Sequence, residues 1–239
     1  QNQRLLLRTS HDDGKTWSNP RYLEKRTRGG ENIITSGSPS NGIQLQRGRH
    51  QGRLVAPMYL GEALDRETGK RTFHCTVFYS DDNGSHWQLG QYVPLPDQTQ
   101  PANECLIAEL DDGRIMMNAR YRGKNRYIAF SKDGGETWYP YRPDPTRAGR
   151  PCHSGLLRYT YGSPTTRSRL VFSNNFNLDH RATGTVRVSY DNGNSWEISK
   201  TVIPGYFGYS QLTRLRNGHI GMIYEPFESP AQTWSIEFI

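Results

Sequence analysis

Four carboxylates occupy the same place in four copies of one motif. SHDDGKTW begins at Ser10, SDDNGSHW at Ser80, SKDGGETW at Ser131 and SYDNGNSW at Ser189, so a Ser-x-Asp-x-Gly-x-(Thr/Ser/His)-Trp unit returns after 70, 51 and 58 residues. A carboxylate can act as general base, nucleophile or metal ligand, but a catalytic pair must converge on one substrate. Asp12, Asp82, Asp133 and Asp191 are spread one per copy, and each has acceptor work at hand in the N–H groups of its own turn, so all four read as structural. The SDDNG stretch resembles half a calcium loop, yet no Glu stands at the twelfth loop position. Cys152 and His153 are neighbours; adjacent strand residues point to opposite faces, so they form no nucleophile and base pair and read as packing or pocket lining. Asn83 opens an Asn-Gly-Ser glycosylation sequon inside the second copy.

The elements that position these residues are short strands. RLLLRT, FHCTVFYS, RYIAFS and TVRVSY each run into a motif copy, and GRLVAPMY, ECLIAEL, GRIMMNARY and SRLVFSN lie between copies with Gly, Asn, Asp or Pro separating them. The Gly of each copy (Gly14, Gly84, Gly135, Gly193) can take positive φ, and the Trp that ends it seals the hairpin. No segment sustains a 3.6-residue period. The expectation is an all-β chain of antiparallel repeats, each of propeller-blade length.

Composition agrees and excludes other classes. A length of 239 residues suits one domain. The net charge of +7 is carried by 24 Arg and only 6 Lys, without a block of like charge; anionic small ligands are favoured and nucleic acid is not implied. Mean hydropathy is −0.83, and no apolar run approaches the roughly 20 residues of a membrane helix. Low aliphatic content is offset by 14 Tyr, 8 Phe and 5 Trp, which bury large surfaces. Cys75, Cys105 and Cys152 are too few for a disulfide scaffold and lack zinc-site spacing. The opening QNQRLLLRTS has no signal-peptide pattern.

The four copies are Asp boxes, and around them the chain resembles the exo-α-sialidase (neuraminidase) family of Asp-box glycoside hydrolases. The resemblance rests on NECLIAELDDGRIMMNARY at 103–121, SNNFNLDHRATGTVRVSYDNGNSW at 173–196 and GYSQLTRLRNGHIGMIYE at 208–225, in family order over nearly the whole chain. It implies a six-bladed β-propeller spanning residues 1–239. It also implies Tyr209 and Glu104 as catalytic residues, with Arg120, Arg181 and Glu225 serving the substrate, Glu225 by steadying an arginine. Implied partners are sialylated glycans of glycoproteins, gangliosides and oligosaccharides, with no metal or organic cofactor and an extracytoplasmic location.

The chemistry of a sialoside suits these residue types. Its anomeric carbon bears a carboxylate, so an anionic nucleophile approaches against like charge whereas a neutral phenol does not. A phenol with an ordinary pKa near 10 needs a base to take its proton, the role implied for Glu104. Tyrosine nucleophiles are a known exception among glycosidases that otherwise use paired carboxylates. Guanidinium forks match a carboxylate bidentately where lysine cannot, which suits Arg120 and Arg181.

Two elements of the family pattern are not found. An Arg-Ile-Pro strand that supplies a first arginine, and the following loop with an acid/base Asp, have no counterpart; Asp12 and Asp13 belong to a box and Asp65 to the EALDRETGK stretch. The expectation is that the opening strands of the first blade are missing from this chain and that a separate N-terminal segment completes ring and site. Hydrolysis, trans-sialylation, a catalytically inert Asp-box propeller that binds glycans or proteins, and a glycosidase acting on neutral glucans remain open alternatives.

Overall fold

The computed structural model describes residues 5–23, 34–61, 73–95, 102–123, 125–226 and 235–239, in strands and turns without a helix. Asp65 lies outside the described residues. A two-stranded ribbon, β1 (Leu5–Leu7) and β2 (Arg21–Leu23), opens the chain. The next sheet holds β3 (Ile34–Gly37), β4 (Ile43–Gln44), β5 (Leu54–Gly61), β6 (Phe73–Ser80) and β7 (Gln88–Leu89), with β3 and β4 both paired to β5. Two four-stranded sheets follow, β8 (Asn103–Glu109) through β9 (Ile115–Arg120) and β10 (Asn125–Ser131) to β11 (Arg142–Ala148), and β12 (Gly155–Thr160) through β13 (Arg169–Asn175) and β14 (Ala182–Ser189) to β15 (Ile198–Tyr206). The last sheet is β16 (Ser210–Arg214), β17 (Ile220–Tyr224) and β18 (Glu237–Phe238).

The arrangement is all-β and propeller-like, but the expectation of six blades is corrected to four sheets and a ribbon among the described residues. At one box per 51 to 70 residues, a chain of 239 carries no more. Every box joins two antiparallel strands: β1 to β2, β6 to β7, β10 to β11 and β14 to β15. In the four- and five-stranded sheets these are the two outermost strands. The Pro-bearing segment RPDPTRA was not legible as a strand; it forms β11 at a sheet edge, the one place where missing N–H donors break no ladder.

Alternation explains why the sheets stack. Along β8, Cys105 and Ile107 face the core shared with β5 and β6, while Leu106 and Ala108 face the core shared with β12 and β13. Leu170 and Phe172 continue into that second core, and Val171 between them turns to a third, with Phe207, Leu212 and Met222. A strand buried on both faces carries a continuous apolar run, as residues 105–108 do in β8. The inner segments also touch across the centre: Asn41 Nδ2 donates to Leu212 O at 3.1 Å and Ser38 Oγ to Cys105 O at 2.6 Å.

Each box closes on its own Asp. In the third, Ser131 Oγ donates to Asp133 Oδ1 at 2.8 Å, Gly135 N to Ser131 Oγ at 2.9 Å and Thr137 N to Asp133 Oδ1 at 2.9 Å; the same pattern recurs around Asp12, Asp82 and Asp191. Hydrogen bonds to the carboxylates hold Asp12 down to about 2 and lower Asp82. Three boxes place Asp13, Asn83 and Asn192 at φ of 57°, 55° and 60°, where the third has Gly134 at 67°. The reason is tertiary: a Cβ there would lie 2.9 Å from Arg53 Nη1 and 3.0 Å from the His50 ring. Arg53 is itself pinned by Asp81 at 2.7 Å and Glu136 at 3.0 Å. Gly134→Asn is therefore expected to cost roughly 1–3 kcal/mol from overpacking, while Asn83→Gly costs only a few tenths. Urea midpoints of the two variants check this, and equal shifts would refute it.

Candidate active site

Two irregularities in strand pairing aim polar side chains toward one another. Between Asn103 and Leu106 the pairing of β8 with β9 slips by one residue, and within that bulge Glu104 takes φ 43°. A bulge re-aims a side chain out of the alternation; here Cys105 keeps its core position while Glu104, 8% exposed, turns toward the end of β9. Arg120, the last residue of β9, donates through Nη1 to Glu104 Oε2 at 2.7 Å and to Tyr209 OH at 3.0 Å.

The second irregularity follows Arg181. Pairing of β14 with β15 shifts between Ala182 and Gly184, with Thr183 at φ 62°. Arg181 O accepts from Phe207 N at 2.9 Å, and its guanidinium carbon lies 5.7 Å from the Tyr209 ring centroid. Gly184 is required by this approach, because a Cβ would lie 2.3 Å from the Phe207 ring.

Tyr209 sits in the short link between β15 and β16 and is held by its backbone. Glu225 N donates to Tyr209 O at 3.0 Å, Gly208 N to Glu225 O at 2.9 Å, and Tyr209 N to the Glu225 carboxylate at 3.0 Å. Among the described residues Glu225 thus holds the Tyr209 main chain, and neither Arg120 nor Arg181 is its partner. The phenol of Tyr209 donates to Glu104 Oε1 in a short hydrogen bond.

The five residues named from the sequence therefore lie together, with Glu104, Arg120 and Tyr209 in mutual contact. Burial, then the hydrogen bond and charge of Glu104, push the Tyr209 phenol well above its ordinary range. The resting side chain is a neutral donor, not a phenolate. Cys152 and His153 are also neutral: burial raises the thiol to about 11, and burial together with Arg126 lowers the imidazole to about 3. The His153 ring lies 5.4 Å from that of Tyr209, which places it as packing beneath the phenol.

Arg126 was missed. It is 7% exposed, donates to Cys152 O at 2.7 Å and forms a short bond to Asn118 Oδ1. It thereby fixes the loop whose Pro151 O is met by Arg181 Nη2 at 3.5 Å. The signal available was a charged residue near the start of the strand run RYIAFS.

The sequence matches the BNR repeat-like domain over residues 1–222. A sialidase of Micromonospora viridifaciens is 33% identical over 228 residues, 91% of this chain and 33% of that protein. An anhydrosialidase of Macrobdella decora is 27% identical over 239 residues, 94% of this chain and 30% of that protein. The solved intramolecular trans-sialidase of Ruminococcus gnavus, in complex with oseltamivir carboxylate, aligns with a TM-score of 0.74 at 25% identity, covering 94% of this chain and 46% of that one. The chain spans about a third of the length of these curated relatives.

The position of the Tyr209 proton is measurable. Its folded pKa lies above the unfolded value near 10, so its contribution to stability is complete below pH 10 and is lost as pH rises beyond that. In absorbance titrations at 295 nm, the difference between parent and Tyr209→Phe should show no phenol titrating at pH 10. Glu104→Gln should bring that titration down toward the ordinary value. A parent Tyr209 that already ionises near pH 10 would exclude the arrangement.

Proposed function

The chain belongs to the BNR repeat-like domain family, and from that premise we propose that it carries the nucleophile and part of the carboxylate-binding apparatus of a retaining exo-α-sialidase. What supports the reading is one contact: the Tyr209 phenol on Glu104, with Arg120 bonded to both and Arg181 over the ring. Arg120 and Arg181 offer guanidinium forks to the substrate carboxylate. Tyr209 Oη forms a bond to the anomeric carbon as the glycosidic bond breaks, and its proton passes to Glu104 in the same step. Because the phenol is neutral until it reacts, it approaches the anionic sugar without like-charge repulsion. Water then attacks the anomeric carbon as its bond to Tyr209 breaks; Glu104 returns its proton to the departing phenolate, and the proton of water passes to the conjugate base of the acid that protonated the leaving oxygen.

The leaving oxygen needs a proton donor. Glu104 is occupied by Tyr209 and Glu225 by the Tyr209 main chain, so we assign the acid, and a third arginine, to a segment other than the described residues. The substrates are terminal sialic acids of glycoproteins, gangliosides or oligosaccharides, which places the protein outside the cytosol. A second reading is favoured by the likeness to an anhydrosialidase and an intramolecular trans-sialidase: a hydroxyl of the bound sugar itself replaces water as acceptor, and the product is an anhydro-sugar. Product analysis separates the two, since only hydrolysis incorporates oxygen from labelled water.

In the full-length protein, Tyr209→Phe is expected to lower kcat on a fluorogenic sialoside by on the order of 10³-fold or more. Glu104→Gln should lower it by roughly 10²–10⁴-fold, with the folded state retained in both. Arg120→Ala should weaken sialoside binding by about 2–5 kcal/mol and is nearly silent only if the substrate is a neutral glucan. Undiminished turnover by Tyr209→Phe sinks the nucleophile assignment, and absence of turnover by the parent protein leaves an inert glycan-binding propeller as the reading.

A further inference from the structure

The strand ends remote from Tyr209 carry a second concentration of charge. The β4–β5 turn presents Arg47, Arg49 and His50, the β8–β9 turn Asp112 and Arg114, and the third box Lys132; together they line a hollow of about 680 Å³. Glu104 lies at one end of the seven-residue β8 and this hollow beyond the other, a separation of roughly 20 Å at the rise of an extended strand.

The hollow is built on backbone. Gly48 and Gly113 take φ of 68° and 81°, and a Cβ on Gly113 would lie 3.5 Å from Gly48 Cα, so the two turns meet main chain to main chain. Asp112 takes Arg114 Nε at 2.7 Å. Arg47, Arg49 and Lys132 have no carboxylate at ion-pair distance among the described residues. Arg49 Nε donates to His50 Nε2 at 2.8 Å, which requires a neutral ring there. Burial first, then the charges of Arg53 and Arg49, lower the His50 pKa.

The aromatic faces nearby are already covered. Arg47 lies 5.0 Å over Tyr161, Arg114 5.2 Å over Phe130 and Lys132 5.1 Å over Tyr139. A nucleobase therefore finds no free ring to stack on, whereas guanidinium and ammonium groups offer donors to oxyanions. The volume falls in the range of small-ligand pockets. We propose that this hollow is a second glycan-binding site, taking saccharides that carry carboxylate or sulfate groups. It is independent of the chemistry assigned to Tyr209. Engagement of an acidic glycan at both ends of the strands would raise the effective concentration of chains near the candidate active site.

Calorimetric titration of the full-length protein with a heparin hexasaccharide, a hexagalacturonate, neutral maltohexaose and (dT)6 tests this. One or both acidic hexasaccharides should bind, more weakly at higher salt, and the neutral sugar should not. Affinity should fall at least tenfold in Arg49→Glu/Lys132→Glu and in the milder Arg47→Ala/Arg49→Ala/Lys132→Ala, and stay unchanged in Tyr209→Phe. Binding of heparin alone assigns the site to sulfate, and binding of hexagalacturonate assigns it to carboxylate. The proposal is overturned if neither acidic sugar binds, if both charge variants bind as the parent does, if Tyr209→Phe loses the binding, or if (dT)6 binds as tightly as the sugars.

Discussion

A phenol and a carboxylate 105 residues apart in the chain meet in one hydrogen bond where the inner strands converge. Everything around that hydrogen bond is arranged to keep it. Glu104 reaches it only because β8 bulges, and the left-handed backbone at Glu104 is a conformation that a non-glycine residue holds only when its surroundings enforce it. Tyr209 reaches it because three hydrogen bonds tie residues 208 and 209 to Glu225. Arg120 closes the triangle by donating to both partners. Burial without Glu104 would leave a neutral phenol with no base; Glu104 without Arg120 would leave a nearly buried carboxylate without a countercharge, which is costly.

The same sheets separate two kinds of chemistry along their length. At one end the connections between strands carry the bulges, Arg181 and Tyr209. At the other the boxes and tight turns satisfy their own carboxylates, as at Asp133, and so contribute rigidity without convergent acids. The Gly at 134 shows how closely that end is packed, since it is the one box in which a neighbouring turn occupies the space of the usual Asp or Asn side chain. Strand alternation links the ends: apolar positions on both faces of β8 and β13 make each sheet a filler between two cores. Displacement at one end is resisted by packing along the whole strand.

Much of this was legible beforehand. FHCTVFYS is strand β6 residue for residue, and most other expected runs differ from the observed strands by one to three residues at their ends, because alternation and turn chemistry act between near neighbours. The strand β11, with Pro143 and Pro145, escaped detection since its fitness as a strand depends on lying at an edge. Arg126 escaped because its burial is set by Asn118 and Cys152 on other segments. The six blades came from the resemblance, and the described residues hold four sheets and a ribbon.

The amino-acid order by itself determined the boxes, the all-β class and the identities of Glu104, Arg120, Arg181, Tyr209 and Glu225 as a set worth locating. Each depends on residue type, short spacing or order along the chain. Only the tertiary structure decided that Tyr209 rests as a neutral donor, that the Glu225 carboxylate takes the Tyr209 main-chain N–H, and that, among the described residues, cations without a carboxylate partner gather at the opposite strand ends. Those outcomes depend on burial and on charges brought close by distant segments, and a proton's position responds to that surrounding field, which no local stretch of sequence contains.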